Sequence, residues 1–195
     1  PSQLMDKIRE LLFSKHVKII GIAGTLIIFL FVIAKVSFIN KIQLDKAVKN
    51  TITNIEVKSS LLANGVNINS TVFADSEYNL LARDWIEANA QPDFLEFLRE
   101  LGFTSWEKNN SDCDDFAKAF TVFLKSYVKK AHPTVASPAV GEIYYIQKSG
   151  NPHAINIIVL ANSKGLPLIG FFEPQDQKFV HLTKKEISSI YFVSI

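Results

Sequence analysis

The chain has 195 residues, enough for one domain and an appended segment. Its net charge is only +2, and no basic stripe with interleaved aromatic residues follows residue 71, so nothing indicates a nucleic-acid-binding protein. The single cysteine, Cys113, excludes a disulfide within the chain and leaves the cellular compartment open.

An uncharged apolar run fills residues 19–34. Extended to residues 17–39, the run contains only two charged residues, Lys18 and Lys35, and both lie near its ends, where their stems can reach lipid headgroups. Because a bilayer span needs roughly 20 mainly apolar residues, the sequence predicts a transmembrane helix over residues 17–39, after an amphipathic lead-in over residues 1–16. A cleaved signal peptide is the alternative, but its apolar core is usually shorter.

A retained anchor makes the lipid bilayer the first predicted partner. Lysines precede and follow the span, so the positive-inside rule does not fix its orientation. The default is a short N-terminus inside and a large C-terminal domain outside. This arrangement predicts a single-pass protein of a cell envelope or a virion inner membrane, with other envelope or virion proteins as candidate partners.

The chain after the span divides into a linker and a globular domain. Residues 40–71 mix charged and β-branched residues, and we interpret them as a stalk or linker. The globular domain is predicted to begin at residue 72. Apolar residues spaced three and four apart predict three helices there, over residues 75–89, 91–101 and 111–130, with Ser111 as the cap of the third.

After Pro138, short apolar runs bounded by turn residues replace the helical spacing, which is typical of strands. The predicted strands are residues 142–147, 153–161, 166–173, 178–182 and 190–195, with a short helix over residues 183–189. Helices followed by a meander of strands predict an α+β fold, with the helices packed on one face of an antiparallel sheet.

Three reactive side chains take positions suited to thiol chemistry. Cys113 begins the third predicted helix, where the helix dipole favours a thiolate. His153 opens one predicted strand, and Glu173 closes the next. Pairing these strands across their short loop, Ala161 with Leu166, places His153 opposite the residue after Glu173. The imidazole and the carboxylate are therefore expected to meet at one end of the two strands.

This set of side chains predicts a catalytic triad. His153 would accept the thiol proton, and Glu173 would hold the imidazole in the useful tautomer. The backbone N–H of Cys113, at the start of its helix, would stabilise an oxyanion. Side chains of the preceding loop could complete the oxyanion hole or the cleft, and the candidates are Trp106, Asn109 and Asn110.

Three carboxylates flank the thiol, and two interpretations of them stay open. Asp112, Asp114 and Asp115 are typical of a first helical turn, which the helix dipole favours. They could also bind a cation such as Ca²⁺, which prefers clustered carboxylate oxygens. In both cases they oppose formation of a thiolate unless they are neutralised. The sequence itself requires no cofactor.

Three short motifs carry a family resemblance. They are Asp112-Cys113-Asp114-Asp115-Phe116-Ala117, His153-Ala154-x-Asn156 and Phe172-Glu173-Pro174-Gln175. Together they resemble the papain-like C-terminal domain of the fungal Marasmius oreades agglutinin and its phage-encoded relatives. Trp106, seven residues before the thiol, is similar to a cleft tryptophan of that domain.

The resemblance implies a papain-like or transglutaminase-like fold over residues 72–195. It also implies a cysteine protease activity with a Cys–His–Glu triad, and a calcium requirement. Transglutaminase-like and cell-wall amidase-like enzymes share the order cysteine, histidine, acid. The sugar-binding β-trefoil of the agglutinin has no counterpart in this sequence, so the resemblance implies no lectin activity. The predicted transmembrane segment is a departure from the family.

The main hypothesis is a membrane-anchored cysteine hydrolase, either a papain-like peptidase or a cell-wall amidase. It would cleave amide bonds in protein or peptidoglycan, with Cys113 as the nucleophile. The alternative is a structural membrane protein, for example of a virion, that retains the fold without catalysis. Under that alternative Cys113 is a small buried residue on the same helical stripe as Phe116 and Phe120.

Overall fold

The computed structural model describes residues 48–67, 69–103, 105, 107 and 111–195. The predicted lead-in over residues 1–16 and the predicted transmembrane helix over residues 17–39 lie outside the described residues. Across the part of the chain that the structure describes, no helix combines the length and apolar character that crossing a bilayer requires. The described residues belong to one compact unit, Leu44–Ile195.

The described residues form eight strands and five α-helices. The strands are β1 (Val48–Thr53), β2 (Thr71–Val72), β3 (Glu77–Ala82), β4 (Val140–Ile146), β5 (Pro152–Ala161), β6 (Pro167–Glu173), β7 (Lys178–Val180) and β8 (Phe192–Ser194). The α-helices are α1 (Asn54–Ala63), α2 (Arg83–Trp85), α3 (Gln91–Glu100), α4 (Cys113–Ala131) and α5 (Lys184–Ser188), and a π-helix over Ile86–Ala90 joins α2 to α3.

The strands form one mixed sheet, in which β5 lies at the centre. The order is β1-β3-β5-β4-β8-β2, and β6 pairs with β5 and with β7. Most pairs are antiparallel, but β3 runs parallel to β5, and β2 runs parallel to β8. The prediction of an antiparallel sheet is therefore wrong at these two pairs. Both include a strand from before residue 83, and the strand pattern after Pro138 could not show how such a strand pairs.

Both faces of the sheet carry helices. On one face α3 and α4 bring Phe94 and Phe120 against Phe172 of β6. On the other face Val57 and Leu61 of α1 pack in a second buried cluster. The prediction of a fold that combines helices with a sheet is confirmed, but the expectation that helices cover only one face is wrong, because α1 lies in residues 54–63, within the predicted linker.

The helix predicted over residues 75–89 is wrong in its first half, where the chain forms β3. Leu80 and Leu81 are both fully buried, on opposite faces of the sheet. A strand buried on both faces loses the alternation of apolar and polar residues by which strands are recognised. The apolar residues left in this stretch have a spacing that also fits a helix, but helical structure begins only at Arg83.

The linker predicted over residues 40–71 contains β1, α1 and β2, and the compact unit starts well before residue 72. Thr53 and Glu56 form a capping box at the start of α1, which is a recognisable helix signal in the sequence. Val57 and Leu61, one turn apart, have no exposed surface. The predicted domain boundary is therefore too late in the chain.

Two deletions test this boundary. Deleting residues 1–43 should leave a domain with a cooperative thermal unfolding transition, because every described strand and helix remains. Deleting residues 1–71 should abolish that transition, because it removes β1 and α1 and exposes the core under Val57 and Leu61. Thermal unfolding followed by circular dichroism distinguishes the two fragments. Cooperative unfolding of the shorter fragment would show that α1 is dispensable.

Candidate active site

His153 and Glu173 are in direct contact. The Nε2 atom of His153 lies 2.7 Å from Oε2 of Glu173. Only 13% of each side chain is exposed, so the pair is largely shielded from water. The other carboxylate oxygen of Glu173 accepts a hydrogen bond of 3.3 Å from the backbone N–H of Gln175. The carboxylate is thus held at both oxygens.

The register that produces this contact differs by one residue from the predicted register. Ala161 pairs with Pro167, not with Leu166. If this register is continued past the last pair, Glu173 lies across from Ile155, two residues from His153 and on the same face of the sheet. Diagonal neighbours of this kind are within reach of long side chains, which explains why the contact forms despite the shifted register.

An aromatic ring bounds the imidazole on a second side. Tyr145 of β4 pairs directly with His153 of β5. The two ring centroids lie 5.8 Å apart in an edge-to-face arrangement, and Tyr145 is only 5% exposed. Burial raises the pKa of Tyr145 to about 12, so its hydroxyl stays neutral. Tyr145 is not among the predicted site residues, although pairing the predicted strands 142–147 and 153–161 as a hairpin would bring it beside His153.

Cys113 is the first residue of α4, as predicted, but its helix is capped differently. Asp112, not Ser111, is the N-cap residue, and it forms a capping box with Asp115. The hydroxyl of Ser111 donates instead to the carbonyl oxygen of Ser105 at 2.7 Å. The prediction that Ser111 caps the helix is therefore wrong, because its side chain closes the preceding loop.

The thiol of Cys113 lies beside the strand that carries His153. The backbone N–H of Ala154, the residue after His153, is close enough to the sulfur to lower its pKa. Burial has the larger effect and raises the pKa of Cys113, and the charges of Asp112 and Asp114 raise it further. Within the described residues, no hydrogen bond joins the sulfur to the His153 ring, whose Nε2 faces Glu173.

The three aspartates lie close together at the start of α4. One carboxylate oxygen from each of Asp112, Asp114 and Asp115 lies within 4.8 Å of the others. The pKa of Asp114 is lowered by its side-chain hydrogen bond with Asp112 and then by Lys118, which pairs with it. Clustered carboxylate oxygens suit a hard cation. The predicted calcium site stays a prediction.

The predicted oxyanion and cleft candidates Trp106, Asn109 and Asn110 lie outside the described residues. The backbone N–H of Cys113 remains a donor at the helix start, because the first N–H groups of a helix have no partner within it.

Glu142 lies on β4, near the side chains of Thr121 and Lys118 on α4. Burial raises its pKa, and the Thr121 hydrogen bond and then the charges of Lys118 and Lys125 partly offset this effect. Since the folded state binds the proton more tightly than the unfolded state, stability falls as the pH rises from the ordinary glutamate pKa through the raised one.

Glu142→Gln should therefore raise the melting temperature at pH 7. The gain should stay below about 1 kcal/mol, because solvent and lysines screen a half-exposed charge. Melting curves of the wild type and the variant should converge below about pH 4, where Glu142 is protonated in both states. A variant less stable than the wild type at pH 7 would contradict this account.

The fold has counterparts among solved structures. No protein-family model matches the chain, and no curated protein sequence matches it. The PSL1a–E64 complex is 23% identical, with a TM-score of 0.57 over 74% of this chain and 50% of that chain. Polyporus squamosus lectin, bound to the human-type influenza-binding epitope Neu5Acα2-6Galβ1-4GlcNAc, is 24% identical, with a TM-score of 0.57 over 74% of this chain and 49% of that chain.

The shared property is the fold. The chain spans about half the length of these lectin chains. The predicted resemblance to a fungal agglutinin is therefore confirmed only for the fold, which a fungal lectin shares.

One set of predicted descriptions needs correction. The motifs and the apolar run predict a papain-like thiol protease of a virion membrane. The structures that share the fold are named for a lectin, and no described helix is suited to cross a membrane. Short motifs around a cysteine and a histidine could not show that a lectin shares this fold.

Proposed function

We propose that this chain is an enzyme that cleaves amide bonds by a thiol nucleophile, Cys113. The observation that carries the proposal is the shielded contact of 2.7 Å between His153 and Glu173, with Cys113 beside the strand that carries His153. A carboxylate that fixes one imidazole nitrogen leaves the other, Nδ1, to exchange a proton with the nucleophile.

The reaction would proceed in two stages. His153 Nδ1 takes the proton of Cys113 while the sulfur attacks the carbonyl carbon of the amide. The same proton then passes to the leaving nitrogen as the C–N bond breaks, which leaves a thioester. Water, deprotonated by His153, hydrolyses the thioester and restores the thiol. Glu173 stabilises the charge on the imidazole in both stages.

A neutral thiol at rest is consistent with this scheme. Burial and two aspartates raise the pKa of Cys113, so the sulfur is protonated before substrate arrives. The base is then needed at the moment of attack. A cation held by Asp112, Asp114 and Asp115 would weaken the opposition of the carboxylates to negative charge on sulfur. The proposed substrates are peptides or peptidoglycan cross-bridges, because both present amide carbonyls.

Labelling with E64 tests the proposal directly. The PSL1a neighbour is a complex with E64, a compound whose epoxide is opened by a thiolate with formation of a C–S bond. Because the chain has one cysteine, any adduct on a thiol found by mass spectrometry lies on Cys113. The folded wild type should be labelled at pH 7 faster than the same chain unfolded in urea, with calcium present or chelated in parallel samples.

Two controls complete this experiment. Cys113→Ser should take up no E64, which shows that no other side chain reacts. Cleavage of a peptide mixture and of purified peptidoglycan, compared between the wild type and Cys113→Ser, should then identify the substrate class. Equal labelling of folded and unfolded chains, with and without calcium, would refute an activated thiol. A structural protein that retains the fold would then be the better account.

Glycan binding is the second candidate function. It is favoured by one observation, the sialylated epitope bound to the lectin that shares this fold. Since this chain spans about half of the lectin chain, the sugar site need not lie in the shared half. Calorimetric titration with Neu5Acα2-6Galβ1-4GlcNAc tests it. Saturable binding that is unchanged in Cys113→Ser would support a glycan site separate from the thiol, and absence of binding heat at two different temperatures would exclude this ligand.

A further inference from the structure

We infer that Asn156 is the positioning residue that sets Cys113 against the strand of His153. The inference rests on the proposed function and adds to it a residue outside the triad. Asn156 lies in the middle of β5, on the face covered by α4, and has no exposed surface.

One side-chain amide connects three elements. The Nδ2 atom of Asn156 donates to the carbonyl oxygen of Ala117 at 2.8 Å and to Oγ1 of Thr121 at 3.0 Å, both on α4. It also lies 3.1 Å from the carbonyl oxygen of Gly141 on β4. The Oγ1 atom of Thr121 also lies 3.1 Å from the carbonyl oxygen of Ala117. The first turns of α4 are thereby attached to the two central strands.

The spacing of these contacts aligns α4 with β5. Cys113 lies beside Ala154, and Ala117 lies beside Asn156. Four residues of an α-helix rise by about 6.0 Å, and two residues of a strand by about 6.6 Å. The two steps match, so α4 runs alongside β5 in the same direction. The hydrogen bonds of the Asn156 amide therefore determine how far along β5 the thiol lies. An apolar contact at this position would constrain that distance less tightly.

Packing alone does not account for an asparagine here. The Oδ1 atom of Asn156 is buried and accepts no hydrogen bond within the described residues. An unpaired buried acceptor is destabilising. An apolar side chain of similar size would fill the space without that cost. An asparagine at this position is explained if the directional hydrogen bonds of its amide serve to place α4 and not to increase stability.

Alkylation of Cys113 by iodoacetamide, measured in the full chain at pH 7, tests the inference. Asn156→Ala should lower the rate at pH 7 at least about tenfold, because a displacement of about 1 Å is enough to impair a reacting pair. The melting temperature of the same sample is recorded beside the rate, so that loss of reactivity can be compared with loss of stability. A role in packing alone would lower the melting temperature and leave the rate near that of the wild type.

The matched control is Leu61→Ala, which removes a fully buried side chain from the opposite face of the sheet. At an equal or larger loss of melting temperature, Leu61→Ala should keep the wild-type rate within about twofold. If Asn156→Ala does not fold, Thr121→Val takes its place, because it removes one of the three acceptors and keeps the shape of the side chain.

The outcomes separate the two proposals. A wild type that reacts no faster than His153→Ala would refute the proposed function and this inference with it. If the wild-type rate depends on His153 but Asn156→Ala or Thr121→Val leaves the rate unchanged, the positioning role alone would be overturned. Equal losses in Leu61→Ala would overturn it as well, since the effect would then follow stability.

Discussion

His153→Ala should lower the rate at which iodoacetamide alkylates Cys113 at pH 7 by roughly 100-fold, the lower end of what a general base contributes. Burial, Asp112 and Asp114 raise the pKa of Cys113, so its thiolate is scarcer at pH 7 than that of a free cysteine. Any rate above that of a free thiol must therefore come from a base, and His153 is the candidate base on the strand beside the thiol. The measurement is the second-order rate constant in the full chain.

Glu173→Gln is the matched variant for this prediction. A glutamine can still accept a hydrogen bond from Nε2 of His153, but it carries no charge to stabilise the imidazolium. The loss of rate should therefore be smaller, about tenfold, and the base should still function. Equal rates for the wild type and His153→Ala would contradict an activated pair, whatever the behaviour of Glu173→Gln.

Gly141→Ala should destabilise the domain by more than about 3 kcal/mol, beyond the usual cost of overpacking. A Cβ atom at this position would lie 1.6 Å from the carbonyl oxygen of Ser194 and 2.5 Å from its carbonyl carbon. Both are backbone atoms of β8, which pairs with β4, so the strand would have to separate from its neighbour. Urea unfolding measures the loss.

Gly170→Ala is the control for this effect. A Cβ atom there would meet the Cδ1 atom of Leu160 at 2.7 Å and a ring carbon of Phe179 at 3.1 Å. Both neighbours are side-chain atoms that can move, so the destabilisation should be the smaller of the two. A Gly141→Ala variant within about 1 kcal/mol of the wild type would show that β8 tolerates displacement.

The contact between His153 and Glu173 could be predicted because it is local. Two strands joined by a short loop have few possible registers, and each brings the two side chains to the same end. The error of one residue came from the loop. The side-chain oxygen of Asn162 accepts from the backbone N–H groups of Lys164 and Leu166, at 2.9 and 3.0 Å, and extends the loop by one residue.

The position of Cys113 relative to that pair could not be predicted, because it depends on packing between distant parts of the chain. The amide of Asn156 meets Ala117 across 39 residues. A polar residue within an apolar strand gives no sign of its partner. For the same reason β3 could not be predicted as a strand. Its neighbours in the sheet, β1 and β5, are far apart in the sequence.

The place of β8 in the sheet has a consequence for synthesis. This strand, residues 192–194, lies between β4 and β2, and β2 is formed by residues 71–72. While the ribosome still holds residue 192, one edge of β4 stays unpaired and β2 has no neighbour. The sheet is therefore completed only after translation has passed this strand. Contacts between such distant segments of a chain form slowly. A nascent chain that already displays Cys113 and His153 still lacks the finished sheet that would hold them in place.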